Sequence, residues 1–298
     1  TGHHEIAGFT DPIGWYTFPE VVPVFPEKQI NTLIQKAKLA GVLGNKHASG
    51  EEIIKECGQE HLNSKFPIVY TSADSVLQIA AHEQGFGLDR LYKTCKLAAE
   101  IFNEIRVQRV IARPFLGEKK EEFFRTKNRK DFILPPPIET LCDKVIKSGK
   151  KCFGIGKISD IFGHRGISAS VSGMSDDKLF DEMLNIILKA NTGDLIFANF
   201  VEFDTLYGHR RDVSGYARAL ENFDKKLPKL FSILNKEDFL VITADHGNDP
   251  SFAGTDHTRE QVPVLIKNHN LTNKCYGVIN FSDIGSLVEN FLGIKTYG

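Results

Sequence analysis

The 298-residue sequence lacks several features that mark whole classes of protein. No apolar run approaches the roughly 18 residues that a membrane-spanning helix requires, so no membrane partner is expected. Lys and Arg total 37 against 38 Asp and Glu, with no basic block or stripe, which argues against binding to nucleic acid. The five cysteines are odd in number, widely spaced and without a Cys-x-x-Cys pair. This pattern is typical of reduced thiols in a cytoplasmic protein, and it leaves the oligomeric state open.

The sequence also lacks an initiating Met. It begins on the polar run Thr1-Gly2-His3-His4-Glu5 and ends as abruptly on Lys295-Thr296-Tyr297-Gly298. We therefore expect a piece cut from a longer chain at both ends.

Apolar patterning predicts an α/β core interrupted by a second domain. From about residue 132 onward, amphipathic helices alternate with short strands that are apolar on both faces, which favours a parallel sheet covered on both sides. Residues 15–131 mix helices and strands differently and end in a charged, loop-like stretch at 117–131. The sequence predicts a core domain of residues 1–14 and 132–298 with an inserted α+β domain at 15–131. In the core we expect helices at 138–148, 176–190, 214–234 and 282–291, and strands at 152–158, 194–201, 239–244 and 262–266; in the insert, helices at 27–40 and 91–105, and strands at 67–71 and 106–112.

Polar clusters follow the predicted core strands at their carboxyl ends, where ligands bind in parallel sheets. Asp204 and His209 follow the strand at 194–201, and Asp245 and His246 follow the strand at 239–244, with His257 eleven residues on. Mixed Asp and His without Cys suits a divalent cation such as Mn²⁺ or Zn²⁺. Because neighbouring side chains on a strand point to opposite faces, two ions are a natural reading of the Asp-His pair.

The same residues also have ordinary structural interpretations. A lone Asp-His pair is common without any metal, and it is the clustering after two strands that favours a metal site. Asp212, Asp249 and Asp256 are expected to stabilise loops. Ser72 and Asp74 are ordinary turn residues after a strand, although a hydroxyl and a carboxylate can also grip a sugar. The arginines of residues 109–129 suit phosphate contact or simple solvation.

Two long motifs make the sequence resemble the phosphopentomutases, within the alkaline phosphatase superfamily. They are Asp245-His246-Gly247-Asn248-Asp249-Pro250 and Gly254-Thr255-Asp256-His257-Thr258-Arg259-Glu260. The resemblance extends in family order over nearly the whole chain, through Tyr70-Thr71-Ser72-Ala73-Asp74-Ser75-Val76-Leu77-Gln78, Arg109-Val110-Ile111-Ala112-Arg113-Pro114-Phe115 and Gly208-His209-Arg210-Arg211-Asp212. It departs at His4, where the family usually has Trp, and in the charged stretch at 117–122.

The resemblance implies an alkaline-phosphatase-like core with an inserted cap domain and two manganese (Mn²⁺) ions. One ion is expected at Asp204, His209 and His257, and the other at Asp245 and His246 with an upstream Asp. The nucleophilic threonine is expected just upstream of Thr1, and the first strand of the core is expected to be missing. The resemblance also implies that a (deoxy)ribose phosphate contacts the following residues: Ser72, Asp74, Arg109, Ile111, Arg125 and Lys157.

The implied function is a phosphomutase of the isomerase class, in nucleoside salvage. It interconverts (deoxy)ribose 1-phosphate and (deoxy)ribose 5-phosphate through a phosphothreonine, with a sugar bisphosphate as activator. Two alternatives remain. One is a related enzyme, either a metal-dependent phosphatase or a cofactor-independent phosphoglycerate mutase. The other is an inactive sugar-phosphate-binding fragment, which follows if the 298 residues act alone.

Overall fold

The computed structural model describes residues 2–9, 15–72, 76–107, 109–133, 135–136, 138–270 and 275–294. The chain divides into two compact units. Residues 11–134 form one, here called the insert unit, and residues 1–10 with 135–298 form the other, here called the core unit. Among the described residues, no helix is both long and apolar enough to cross a bilayer.

Helices and strands alternate through both units. The core unit begins with α1 (Gly2–Ile6). The insert unit then contains, in chain order, α2 (Glu27–Lys36), β1 (Leu43–His47), α3 (Gly50–Ser64), β2 (Ile68–Thr71), β3 (Leu77–His82), α4 (Leu88–Asn103), β4 (Arg109–Leu116), β5 (Phe124–Arg125) and β6 (Lys130–Ile133). The core unit resumes with α5 (Leu141–Lys147), β7 (Cys152–Ile155), α6 (Ile158–Ile161), β8 (Ala169–Val171), α7 (Asp176–Ile187), β9 (Leu195–Ala198), α8 (Val213–Ile233), β10 (Leu240–Ile242), β11 (Leu265–Lys267) and α9 (Phe281–Phe291).

The insert unit is built on one mixed sheet of strand order β1-β2-β3-β4-β5, with β6 also beside β4. The pairs β1–β2 and β3–β4 are parallel, whereas the pairs β2–β3, β4–β5 and β4–β6 are antiparallel. Every residue of the central strand β3 is buried, because helices cover both faces of the sheet. One face packs with α3 through residues such as Ile53, Tyr70 and Phe115, and the other packs with α2 and α4 through residues such as Leu33 and Phe102.

The core unit contains a parallel three-stranded sheet of order β8-β7-β9, flanked by apolar clusters on α5, α7 and α8. The three strands end at the same edge, where Gly156 follows β7. Gly156 has a φ of 72°, and a Cβ there would lie 2.1 Å from the carbonyl oxygen of Asn199, just beyond β9. Only glycine therefore allows these two strand ends to approach so closely.

Two predicted core strands need correction. The strand expected at 152–158 ends at Ile155, because the turn at Gly156 leads directly into the short helix α6. The strand expected at 262–266 is β11, which begins only at Leu265 and pairs antiparallel with β10 in a separate two-stranded sheet. An α/β architecture is confirmed, although its sheets are parallel in one place and mixed or antiparallel in others.

The insert unit also departs from prediction. The strand expected at 106–112 begins at Arg109, since Arg106 takes a left-handed φ of 65° that ends the preceding turn. The stretch at 117–131, expected to be a loop, contains β5 and the start of β6. Neither α3 nor the strands β1 and β3 were predicted, because their polar residues interrupt the apolar periodicity that reveals such elements.

Candidate active site

The first acidic residue of the candidate site is carried by an irregular segment after β9. A π-helical turn over Phe203–Gly208 contains Asp204 and leads to His209. The turn is anchored from α7, where the Asp176 carboxylate accepts hydrogen bonds from the backbone N–H groups of Val201 and Glu202 at 3.0 and 2.9 Å. Burial raises the pKa of Asp176 to about 6. The segment that presents Asp204 is therefore fixed to α7 at the point where it leaves β9.

Three imidazoles surround two carboxylates in the core unit. The Nε2 atoms of His209 and His257 lie 3.2 and 3.3 Å from the two carboxylate oxygens of Asp204. His246 Nε2 lies 3.5 Å from an oxygen of Asp245, and the His246 ring stacks on His257 with centroids 3.8 Å apart. The structure thus brings together all five residues that the sequence singled out after its two strands.

The most compact group within this cluster contains residues from both of the predicted ligand sets. One ligand atom from each of Asp204, His246 and His257 lies within 4.8 Å of the others. The resemblance grouped His246 with Asp245 and grouped His257 with Asp204. Which residues share an ion stays a prediction.

The backbone contacts of His209 and His246 are those expected of metal-binding imidazoles. His209 Nδ1 lies 2.5 Å from the Thr255 carbonyl oxygen, and His246 Nδ1 lies 3.2 Å from the Gly247 carbonyl oxygen. Because a carbonyl only accepts, each Nδ1 carries the proton, and in a neutral ring each Nε2 is then a bare lone pair. Such lone pairs face carboxylate oxygens to which they cannot donate. A cation between them satisfies both, in the manner of metal-binding histidines whose other nitrogen is held by the backbone.

The spacing fits as well. Two ligands about 2.1 Å from one tetrahedral ion lie about 3.4 Å apart. The three contacts between imidazole nitrogen and carboxylate oxygen measure 3.2, 3.3 and 3.5 Å. Burial, and then the neighbouring His246, lower the pKa of His257, which favours the neutral ring that a metal requires.

Asp245 has a partner that sequence reasoning missed. His3 Nδ1, at the start of the core unit, lies 2.9 Å from an Asp245 oxygen. Burial raises the pKa of Asp245, contacts with His3 lower it, and the net result is a pKa below the ordinary value. A Cβ on Gly2 would lie 1.7 Å from the Asp245 carbonyl oxygen, so the backbone of α1 lies directly against this residue. The separation of more than two hundred residues leaves no local signal for this contact.

Asp204 has a similar neighbour in Asn248, whose amide Nδ2 donates to Asp204 Oδ1 at 2.6 Å. Asn248 is almost wholly buried and in turn accepts from Arg211 at 2.7 Å. Both residues lie inside motifs that carried the family resemblance, but nothing in their spacing indicated this contact. Lys157 lies exposed at the carboxyl end of β7, on the same sheet edge as the segment that leads to Asp204.

The residues expected to contact sugar phosphate in the insert unit are arranged around a buried amide. Gln78, on β3, donates from Nε2 to the hydroxyl of Ser72 at 2.7 Å. Its Oε1 accepts from Arg113 Nε at 2.8 Å and from the Tyr70 hydroxyl at 3.1 Å. Arg125 reaches the same Tyr70 hydroxyl at 3.5 Å. Ser72 and Arg125 are thus linked through one hydrogen-bonded network.

The other expected contacts lie differently. Ile111 pairs with Gln78 in the sheet but is only 1% exposed, and Arg109 lies 3.5 Å from Asp131. Asp74 lies outside the described residues. No described carboxylate pairs with Arg113 or Arg125, and burial followed by the charge of Arg129 lowers the pKa of Arg113. Sequence reasoning missed Gln78 and Tyr70 as members of this network.

Comparison with known proteins gives a consistent family. Residues 150–296 match the family model described as Metalloenzyme superfamily. The phosphopentomutase of Chelativorans sp. (strain BNC1) is 50% identical over 295 residues, which cover 99% of this chain and 72% of that protein. Those of Chromohalobacter salexigens and Legionella pneumophila (strain Paris) are 49% and 48% identical, again over 99% of this chain and 72% and 73% of theirs. The chain belongs to the phosphopentomutase family.

This confirms the enzyme class that the motifs predicted, an isomerase-class phosphomutase. The metalloenzyme match covers the part of the chain that contains all five residues of the Asp and His cluster. A solved structure of the PH0037 protein from Pyrococcus horikoshii is similar at a TM-score of 0.45 and 14% identity, over 59% of each chain. That similarity is too weak to bear on function.

Proposed function

We propose that this phosphopentomutase interconverts (deoxy)ribose 1-phosphate and (deoxy)ribose 5-phosphate at a two-Mn²⁺ centre formed by its Asp and His cluster. The observation that carries the proposal is the convergence of Asp204, Asp245 and three imidazoles at one edge of the core unit. Relatives near 50% identity are phosphopentomutases, which favours the pentose reaction over the phosphatase and phosphoglycerate mutase alternatives.

The proposed ligands divide as the resemblance implies. Asp204, His209 and His257 would hold one Mn²⁺, and Asp245 and His246 would take part in holding the other. When bound, the ions supply positive charge that stabilises the charge developing on a transferred phosphoryl group. His209 and His246 act only as neutral ligands, because the Nδ1 proton of each is committed to a backbone carbonyl and its Nε2 lone pair points into the cluster.

The phosphoryl group is proposed to pass through a threonine close to Thr1, primed by a sugar bisphosphate. Two contacts support this location. The Gly2 backbone lies against the Asp245 carbonyl, and His3 contacts the Asp245 carboxylate. A residue next to this point in the chain is close to one of the two proposed metal-binding carboxylates.

The insert unit is proposed to act as a cap domain that holds the pentose phosphate. Guanidinium groups suit phosphate oxygens because they donate two parallel hydrogen bonds, and Arg125 lacks a described carboxylate partner that would compete. Ser72, whose hydroxyl accepts from Gln78, is proposed to contact the sugar phosphate. Asp74 is proposed to bind a sugar hydroxyl, Arg109 and Ile111 to line the site, and Lys157 to contact phosphate from the core unit.

The test combines metal binding with turnover. Mn²⁺ binding is measured by electron paramagnetic resonance on the 298-residue chain, and conversion of ribose 1-phosphate to ribose 5-phosphate is assayed on the full natural chain. Asp204→Asn and His246→Asn should each weaken Mn²⁺ binding and abolish most turnover. His269→Asn is the matched control, because His269 is an exposed imidazole of the same unit outside the cluster.

Two outcomes contradict the proposal. A wild-type chain that binds no Mn²⁺ would remove the metal centre. A full natural chain that binds Mn²⁺ yet fails to isomerise a bisphosphate-primed pentose phosphate would support the inactive-binding alternative.

A further inference from the structure

Arg211 connects two loops that carry residues of the Asp and His cluster. Its guanidinium donates to five acceptors: the carbonyl oxygens of Gly208, Asp249, Gly254 and Asp256, and the side-chain oxygen of Asn248. Gly208 directly precedes His209, and the remaining acceptors lie between His246 and His257 in sequence. One side chain thus connects the segment carrying Asp204 and His209 to the loop at 248–256.

The loop at 248–256 is also closed near its base, and its Thr255 carbonyl contacts His209. Gly247 and Thr258 form an isolated antiparallel bridge, and the Thr258 hydroxyl accepts from the Asp249 backbone N–H at 2.7 Å. Between these points, Gly254 and Asp256 are tied to the Arg211 side chain. His257, the next residue after Asp256, is therefore positioned from one side by the bridge at Thr258 and from the other by Arg211.

A direct relay also runs from Arg211 to the cluster. Arg211 donates to Asn248 Oδ1 at 2.7 Å, and the amide nitrogen of Asn248 donates to Asp204 Oδ1 at 2.6 Å. The side chain of Asn248 fits because residue 208 is glycine, where a Cβ would lie 2.4 Å from the Asn248 amide nitrogen. The orientation of the amide is unambiguous, since its oxygen faces a donor and its nitrogen faces a carboxylate.

The backbone at Arg211 is strained. Arg211 has a φ of 56°, in the left-handed region that side chains other than glycine rarely adopt. Strained backbone of this kind persists only where the surrounding structure holds it, and it is concentrated at functional sites. Here the strain aims the guanidinium into the space between the two loops.

We propose that Arg211 is a positioning residue that holds Asp204, His209 and His257 in a cation-binding arrangement before any cation binds. The proposal rests on the metal centre of the proposed function. The described hydrogen bonds of Arg211 include none to the side chains of these three residues. Arg211 acts through Asn248 on Asp204, and through the loop carbonyls on His257 and on Thr255, whose carbonyl holds His209.

The chemistry requires arginine rather than positive charge alone. A guanidinium presents five N–H donors in one rigid plane, which matches several carbonyl oxygens arranged around it. An ammonium group carries three donors at a single point and cannot reach acceptors on both loops. Arg211→Lys should therefore fail to replace arginine.

The adjacent Arg210 offers a matched control, since it is exposed and has no described contact. Mn²⁺ affinity of the 298-residue chain is measured by isothermal titration for wild type, Arg210→Lys, Arg211→Lys and Arg211→Gly. We expect both Arg211 variants to bind the ion of the Asp204 site about tenfold or more weakly, the range seen when groups that orient metal ligands are lost. Arg210→Lys should bind as wild type does.

Arg211→Gly separates positioning from folding. Glycine relieves the strain at a φ of 56°, so this variant should fold, which its thermal midpoint without metal reports. Hydrogen exchange of the metal-free protein should accelerate at residues 248–256 and stay unchanged in α7. Added guanidinium ion should restore part of the Mn²⁺ affinity of Arg211→Gly, whereas sodium at the same concentration should not.

The outcomes distinguish this inference from the proposed function. A wild-type chain without Mn²⁺ binding would defeat the proposed metal centre. If the wild type binds Mn²⁺ and both Arg211 variants bind it equally well, the centre stands and the positioning role is wrong. Unchanged hydrogen exchange at 248–256 in the variants would also overturn it.

Discussion

The buried imidazole of His61 makes the stability of the insert unit depend on pH. His61 is wholly buried, its Nδ1 donates to the Phe66 carbonyl at 2.6 Å, and its Nε2 accepts from the His82 backbone N–H at 2.9 Å. Both nitrogens are therefore satisfied only in the neutral ring. Burial lowers the pKa of His61 to about 4, opposed by the Phe66 carbonyl and assisted by His82 and Lys65.

The size of the effect follows from the two pKa values. With a folded pKa of about 4 and an unfolded value of 6.5, protons bind the unfolded state more readily between these limits. The stability that His61 contributes is present above pH 6.5 and is lost as the pH falls toward 4. At 1.36 kcal/mol per pKa unit, lowering the pH from 7 to 5 should remove about 2 kcal/mol of unfolding free energy through this residue.

The sole tryptophan of the chain makes the measurement specific. Trp15 lies in the insert unit with His61, so urea unfolding followed by its fluorescence reports on that unit. His61→Gln should unfold more easily than wild type at pH 7 yet lose about 2 kcal/mol less on going to pH 5. His47→Gln, in the same unit, should keep the wild-type slope against pH. An equal slope in wild type and His61→Gln would refute the reasoning.

Two further predictions concern other contacts. Gln78→Leu removes the shared hydrogen-bond partner of Tyr70, Arg113 and Ser72, so KM for ribose 1-phosphate should rise about tenfold with a smaller change in kcat. The control is Gln29→Leu, at another buried glutamine of the same unit, which should change neither KM nor kcat. Glu289→Ala leaves the Lys144 ammonium without its carboxylate partner, so the unfolding free energy of the core unit should fall by about 3 kcal/mol, measured by urea unfolding followed by circular dichroism, while the Trp15 fluorescence transition stays unchanged. A Lys144→Met/Glu289→Leu double variant should recover part of this loss, and a double variant that recovers none of it would contradict the prediction.

Sequence reasoning located the Asp and His cluster because one geometric rule governs it. Side chains that follow parallel strands lie at a common edge, so Asp204 and Asp245 could be expected near one another without knowing any contact. The five residues come together even though β10 pairs antiparallel with β11 in a separate sheet, because they lie in the segments beyond the strands. The pattern of residue types was sufficient for this part of the site.

The same reasoning could not find the residues that orient the cluster. Arg210 and Arg211 are adjacent and chemically identical, yet one is exposed and the other contacts five acceptors. Their difference depends on the φ of Arg211, which the sequence does not reveal. Gln78 was similarly hidden, because β3 was not predicted and its partners lie on two other strands. Contacts set by tertiary geometry leave no periodicity to detect.

The loops around the Asp and His cluster are held by hydrogen bonds that do not depend on a metal. With Nδ1 of His209 and His246 held at backbone carbonyls, the Nε2 atoms of both rings face carboxylate oxygens, and a cation between them would satisfy both groups. Arg211 donates to Asn248, Asn248 donates to Asp204, and the Thr258 hydroxyl accepts from the Asp249 backbone N–H, so the surrounding loops are fixed without a metal. A bound cation should therefore stabilise the core unit more than it would if the site were assembled only on binding. The loops are already ordered, so binding does not have to offset the entropy of ordering them.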